Sequence, residues 1–259
     1  MRNVWRELSG LLLPVVCAGC GRPRTELCAA CGAALFGGTA RRVRPSPGPP
    51  GLPAVHAAAP YENAVRAVLL AHKERGALGL AGALGRALAG CVRAGTGQPG
   101  GAATPGRAGP LRATAPLLLV PVPSARSATA ARGHDPVRRI AVAAARELWR
   151  AGLPTRVLPL LRQRREVADQ SGLGARQRRA NLADALELTA AGERLLRRGL
   201  LRHDRVILVD DLLTTGSTLA EAARALGEGR RTGGEPAVHG GCRAAVVAAS
   251  PSAFEINRN

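Results

Sequence analysis

The chain has 259 residues, enough for one sizeable core with a small accessory module but hardly for two full domains. Its apolar fraction of 46% argues against wholesale disorder, and its scarce aromatic residues exclude a row of rings on which successive nucleobases stack. The net charge of +19 would attract phosphates, whether of nucleic acid or of a small ligand. Lys73 is the only lysine, which is typical of the arginine-rich composition of a GC-rich genome. That bias explains why the cations are arginines but not why acidic residues are scarce.

The first twenty residues superficially resemble an export signal, because arginines precede a short apolar run. Pro14 breaks that run, and Val16 is larger than the small residue usual before a cleavage point. No stretch reaches the roughly 20 apolar residues needed to span a bilayer. We therefore expect a cytoplasmic protein with no stable membrane insertion.

Two CxxC pairs follow, separated by a loop of seven residues. Their cysteines are Cys17, Cys20, Cys28 and Cys31. This spacing suits a structural, tetrahedral Zn²⁺ site, and a metal would give so short a segment a reason to fold. A redox dithiol pair and ordinary free cysteines are the alternatives. We predict a zinc module over residues 1–40, with Cys91 and Cys242 outside the site.

Composition then divides the rest of the chain. Residues 41–53 are rich in Pro and Arg, which predicts a semi-rigid linker without regular structure. Residues 54–259 have an α/β pattern, interrupted by a Gly/Pro-rich stretch, 94–115, that is expected to be a disordered insertion. The predicted strands are 117–122, 157–161, 205–209 and 244–248. The predicted helices are 78–93, 137–151 and 218–226. Their alternation predicts a mostly parallel sheet flanked by helices.

The segment 206–218, VILVDDLLTTGST, carries the strongest chemical signal. Asp210 and Asp211 are expected at the carboxyl end of a buried strand, where α/β sheets bind ligands. Gly216 and several hydroxyl residues would then turn into a helix whose N–H groups and dipole favour an anion. The alternative is that these residues only cap a helix.

This segment resembles the loop of type I phosphoribosyltransferases that binds phosphoribosyl pyrophosphate (PRPP) together with Mg²⁺. The resemblance implies that Asp210 and Asp211 contact the ribose hydroxyls and that the turn holds the 5′-phosphate. The implied phosphate-binding residues are Thr214, Thr215, Gly216, Ser217 and Thr218. Purine-salvage enzymes usually have an aspartate at the position of Thr214, so its absence argues against purine transfer.

The order of further motifs resembles the ComF family, phosphoribosyltransferase-like proteins linked to natural competence. The motifs that carry this resemblance are 12–14 before the first CxxC pair, Tyr61, 73–76, 120–124, 132–134, 170–181 and the 206–218 loop. The sequence departs from the family pattern at His134, Asp135 and Pro136. His134 as a general acid or base, and His134 as an ordinary loop residue, both remain open.

The same resemblance implies a strand end that holds pyrophosphate and a mobile, arginine-rich hood, 162–181. The candidate pyrophosphate and hood residues are Ser124, Arg126, Arg132, Gln170 and Arg178. The hood arginines would neutralise pyrophosphate or follow a DNA backbone, and a merely solvated loop is the alternative.

Two functions are consistent with these features. The first is single-stranded DNA handling in competence or recombination, with a competence helicase or other DNA-processing proteins as partners and the PRPP or ribose-5-phosphate site kept for binding or regulation. The second is an active phosphoribosyltransferase that acts on an unidentified nucleophile. The sequence shows no base pocket and no catalytic base in the usual place.

Overall fold

The computed structural model describes residues 15–97, 116–165, 177, 181–198, 205–232 and 242–255. The helices are α1 (Ala29–Phe36), α2 (Asn63–Glu74), α3 (Ala81–Gly95), α4 (Arg126–Arg132), α5 (Pro136–Arg150), α6 (Ala190–Arg197) and α7 (Ser217–Thr232). The strands are β1 (Arg41–Val43), β2 (Ala54–Pro60), β3 (Leu117–Pro121), β4 (Thr155–Val157), β5 (Leu161–Gln163), β6 (Leu186–Leu188), β7 (Val206–Leu213) and β8 (Arg243–Ala249). Short 3₁₀ helices are Leu78–Leu80 and Pro251–Phe254.

A six-stranded sheet organises the chain, in the order β1-β2-β8-β7-β3-β4. Neighbouring strands are parallel, except that β1 pairs antiparallel with β2. A separate antiparallel pair consists of β5 and β6. The prediction of a mixed α/β fold with a mostly parallel, helix-flanked sheet is confirmed at this level.

Apolar side chains of β7 alternate between two cores, as expected of a strand covered on both faces. Ile207 and Val209 belong to the core that also contains buried residues of α1, α2, α3 and α5. Val206 and Leu208 belong to the opposite core, which contains residues of β5, β6, α6 and α7. The central strand that leads to the acidic pair is therefore fixed from both sides.

The cysteine-bearing segment is packed onto the main fold. Leu35 of α1 is fully buried in the same core as Leu84 and Leu88 of α3. Leu27 and Ala64 in turn pack beside the cysteines. A metal bound by this segment would therefore stabilise one edge of the α/β core as well as the segment itself.

Two secondary-structure predictions are corrected. The linker was expected to lack regular structure, yet its first three residues form β1, because they pair with β2 and bury Val43. The predicted strand 157–161 is instead the end of β4 and the start of β5. Pro159 between them lacks a backbone N–H, and the chain leaves the main sheet there.

No single helix in the described part of the chain is long and apolar enough to cross a membrane. Asn63–Glu74 and Leu78–Gly95 pass that length and composition test only as a pair, bent by 120° at the break between them. Both members bury apolar residues in the core beside the sheet. The predicted insertion begins within α3, at Ala94 and Gly95, and its remainder after residue 97 lies outside the described residues.

Candidate functional site

Four cysteine sulfur atoms, from Cys17, Cys20, Cys28 and Cys31, lie within 4.8 Å of one another. We call this group the cysteine cluster. Tetrahedral Zn–S bonds of about 2.3 Å place sulfur atoms about 3.8 Å apart. The separation of 3.6 Å between the sulfur atoms of Cys20 and Cys28 is close to that value. The four residues are therefore close enough to bind a metal ion.

The backbone of this segment turns its N–H groups toward the thiols. Burial raises the pKa of Cys17, but backbone N–H groups of Cys28, Gly19 and Cys20 outweigh burial and hold it at about 6. The pKa of Cys31 is raised by burial and by the neighbouring thiols. The pKa of Cys28 is also lowered, chiefly by the backbone N–H of Cys31. The cluster thus favours a thiolate at Cys17 and Cys28 but resists ionising all four thiols unless a cation joins them.

Gly19 allows the first CxxC turn to approach the second. A Cβ atom at this position would lie 2.7 Å from the sulfur of Cys31, which is closer than such atoms pack. The turn is also closed by the N–H of Cys17, which donates to the carbonyl of Arg22 at 2.7 Å. Cys91 and Cys242 lie outside the cluster, as predicted, and Cys91 is buried in the main core.

A second candidate site lies where one strand, β7, extends beyond the end of its neighbour β3. β3 pairs with β7 only as far as Pro121 and Val209. β7 continues to Leu213 beside β8, so the acidic pair lies inside the strand and beyond the end of β3. The prediction that this strand ends at 209 is therefore corrected. The missing neighbour leaves open space beside Asp210 and Asp211.

That space is a cavity of about 340 Å³, which we call the β7 cavity. Six predicted site residues line it: Ser124, Arg132, Asp210, Asp211, Thr214 and Thr218. Two leucines that follow the predicted hood in the sequence, Leu182 and Leu186, also line the cavity. Residues separated by almost the whole α/β sequence therefore meet in one cavity.

Lys73, at the end of α2, contributes the cavity's ammonium group. Its Nζ lies 2.8 Å from Oδ2 of Asp211, whose side chain is only 8% exposed. Burial lowers the pKa of Lys73, but Asp211 and Asp210 outweigh it and raise the pKa above its ordinary value. The positive charge of this ammonium group therefore lies beside the acidic pair and partly offsets its negative charge.

Asp210 faces a different balance of charges. Burial and the neighbouring Asp211 raise the pKa of its carboxyl well above the usual range, although Lys73 opposes this effect. Its Oδ1 accepts the backbone N–H of Asp211 at 2.8 Å. A cation or hydroxyl donors placed in the cavity would favour the ionised form of Asp210.

The turn after β7 is held by its own hydroxyl groups and by the linker. The hydroxyl oxygens of Thr215 and Ser217 are 3.1 Å apart, and Ser217 is buried. Gly216 has a φ of +78°, and a Cβ atom there would lie 2.9 Å from Leu52 and 3.4 Å from Pro45. The linker therefore packs against the outside of the turn at a position where only glycine fits without strain.

Some of the remaining predicted residues lie outside the lining of the β7 cavity. Thr215, Gly216 and Ser217 form the turn but do not line the β7 cavity, whereas Thr214 and Thr218 do. Arg126 is the first residue of α4. Gln170 and Arg178 lie outside the described residues.

Two polar residues of the cavity lining were absent from the predicted site. Lys73 is the only lysine of the chain, and it follows an apolar pattern of Val65, Val68 and Leu69 that is typical of a helix. Gln163 lines the cavity from the end of β5. Lys73 lies in the motif 73–76 and Gln163 in the predicted hood, 162–181, but the sequence did not indicate that either side chain lines the cavity.

His134 lies beside the cavity rather than in its wall. Nδ1 is 3.1 Å from the carbonyl of Arg132, and Nε2 is 3.3 Å from the carbonyl of His72. The departure at Asp135 and Pro136 also has a structural explanation, since Asp135 caps the N-terminus of α5 and Pro136 is its first residue. These contacts favour a structural role for His134.

Neither a protein-family model nor a curated protein matches this sequence. The ComF and phosphoribosyltransferase resemblances therefore remain predictions. The sheet, the cysteine cluster and the β7 cavity are features of the chain itself.

Proposed function

We propose that the protein binds PRPP, or a closely related ribose-5-phosphate, in the β7 cavity. One observation carries this proposal: the acidic pair, an ammonium group, a guanidinium group and the hydroxyl residues Thr214 and Thr218 on either side of the turn line a single cavity. A volume of about 340 Å³ lies at the small end of the range for ligand pockets.

The proposed orientation follows from the charges. Asp210 and Asp211 would accept hydrogen bonds from the ribose hydroxyls. The 5′-phosphate would lie near Thr214 and Thr218, beside the start of α7, where N–H groups and the helix dipole favour an anion. Lys73 and Arg132 would neutralise the pyrophosphate group.

The two carboxylates also offer the oxygen ligands that Mg²⁺ prefers, so we propose Mg²⁺ as a companion of the ligand. It would balance charge between the pyrophosphate and the acidic pair. The chain's own contribution is to hold both carboxylates on a strand that is packed on both faces, so that little reorganisation is needed on binding.

For the cysteine cluster we propose structural Zn²⁺. Four thiol ligands match a closed structural site, whereas a catalytic zinc keeps one position for water or substrate. The buried location of three of these cysteines supports the same assignment.

The biological role implied by the ComF resemblance, single-stranded DNA handling in competence or recombination, remains our proposal for the protein as a whole. Turnover of PRPP by attack of an unidentified nucleophile on C1′ is the second candidate function. The presence of Lys73 and Arg132 in the lining of the β7 cavity favours it, because both cations could neutralise departing pyrophosphate. Release of pyrophosphate from PRPP, with and without single-stranded DNA, distinguishes binding from turnover.

PRPP binding can be measured by titration calorimetry with Mg²⁺ present. We expect Asp211→Asn to weaken binding by at least about tenfold, because it removes a charged hydrogen-bond acceptor. Asp184→Asn is the matched control, since Asp184 is exposed and does not line the cavity. Equal affinity of the wild type and Asp211→Asn would refute the proposed site.

A further inference from the structure

A second groove, with a volume of about 640 Å³, runs along α5 beside the start of α3. We call it the α5 groove. Four arginines line it: Arg138, Arg139, Arg146 and Arg150. The acidic residues of its lining are Asp135 and Glu147. The groove begins at Gly133 and His134, directly after Arg132 of the β7 cavity.

Both carboxylates are already engaged by neighbouring groups. Oδ1 of Asp135 accepts the backbone N–H of Arg138 at 3.0 Å. Glu147 pairs with Arg150 at 2.5 Å. Within the described parts of the chain, no salt bridge involves Arg138, Arg139 or Arg146, and all three side chains are exposed. The groove therefore presents guanidinium groups that the fold itself does not use.

The predicted hood differs in this respect. Arg162 pairs with Glu187 at 2.8 Å. Arg165 donates hydrogen bonds to the carbonyls of Asn181 and Ala183. These two hood arginines hold the β5–β6 region together, so α5 offers a less occupied basic surface than this part of the hood.

The arginines of α5 form an extended row. Since a helix rises about 1.5 Å per residue, Arg138 and Arg146, which form no salt bridge in the described parts of the chain, are separated by about 12 Å along its axis. Guanidinium groups bind phosphate oxygens in a bidentate manner. A row of this length can therefore contact successive phosphates of one strand, which a single small anion would not need.

We infer that the α5 groove binds a single strand of nucleic acid through its phosphates. A protein partner fits the groove less well, because Leu78 and Val142 are its only large apolar side chains and protein interfaces depend on such anchors. The inference gives the proposed DNA role a location, and it does not depend on PRPP binding.

The test compares two double variants with the same loss of charge. Arg139→Gln/Arg146→Gln alters the groove, whereas Arg66→Gln/Arg156→Gln alters exposed arginines on α2 and β4 outside it. Binding of fluorescein-labelled oligothymidylate is followed by fluorescence anisotropy across a salt series. We expect the groove variant to bind more weakly, with a log K against log salt slope about 1.4 less steep, because each phosphate contact contributes about 0.7.

Three results would overturn the inference: no binding by the wild type, equal weakening of the two variants, or displacement of the oligonucleotide by polyglutamate of equal charge. Circular dichroism melting confirms that both variants are folded. PRPP titration of the groove variant should match the wild type, so loss of strand binding and failure of the phosphoribosyl site are distinguished.

Discussion

The cysteine cluster and the β7 cavity gather their polar groups in opposite ways. The cluster takes its ligands from two short sequence pairs within one segment, whereas Lys73 and Asp211 meet across 138 residues of sequence. Ionising all four thiols of the cluster would require a cation to offset the thiolate charges, whereas the cavity already contains a cationic side chain, that of Lys73. The first site should therefore depend on its ligand for stability, and the second should persist without one.

The largest expected change in stability follows from removing one cysteine of the cluster. Cys17→Ser should lower bound metal from about one equivalent to near zero and reduce the free energy of unfolding by more than about 4 kcal/mol, because metal binding is coupled to folding. Metal analysis and denaturant unfolding provide the measurements. Cys242→Ser, outside the cluster, should keep its metal. Full metal retention by Cys17→Ser would contradict the four-cysteine site.

In the cavity, the pair of Lys73 and Asp211 should contribute less. Lys73→Met should destabilise the protein by about 1–3 kcal/mol, because it leaves the buried Asp211 carboxylate without its ammonium partner. In an Asp211→Asn background the same change should cost about 1 kcal/mol less. Denaturant unfolding of the four proteins measures this coupling, and additive effects would show that the ion pair contributes nothing.

The turn beside the cavity should be sensitive to a single methyl group. Gly216→Ala should destabilise the protein by about 1–3 kcal/mol, because φ is +78° and the new Cβ meets Leu52 at 2.9 Å. Thermal unfolding measures the effect. Leu52→Ala should relieve the contact but not the backbone strain, so full rescue in the double variant would contradict the role of φ.

The smallest effect concerns the pH dependence of stability. The pKa of Asp210 is raised in the folded state, so the folded protein binds more protons than the unfolded chain between the two pKa values. Stability from this group is therefore lost as pH rises from about 4, the ordinary pKa of aspartate. Asp210→Asn should flatten that decline and raise Tm by a few degrees at neutral pH.

Thermal unfolding across a pH series measures this change. Asp184→Asn, at an exposed position, should leave the slope unchanged. Parallel curves for the wild type and Asp210→Asn would show that the carboxyl is not perturbed in the folded protein.

The same contrast explains what the sequence could predict. Spacing alone was enough for the cysteine cluster, and apolar runs located β3, β7 and β8 within a few residues. The β7 cavity was predictable only in part, because Lys73 and Gln163 reach it through the packing of α2 and the separate β5–β6 pair. The path of the linker depended on tertiary contacts that composition does not reveal, since Val43 becomes a strand residue by pairing with β2.

The linker, residues 41–53, contacts two other parts of the fold. Pro45 and Leu52 cover position 216, and the N–H of Arg44 donates to the carbonyl of Ala253 at 3.0 Å. The segment therefore packs against the turn after β7 and against the 3₁₀ helix Pro251–Phe254, and it is not a free tether. A change in the linker is therefore expected to alter affinity for the proposed ligand indirectly, through the packing of Pro45 and Leu52 against position 216.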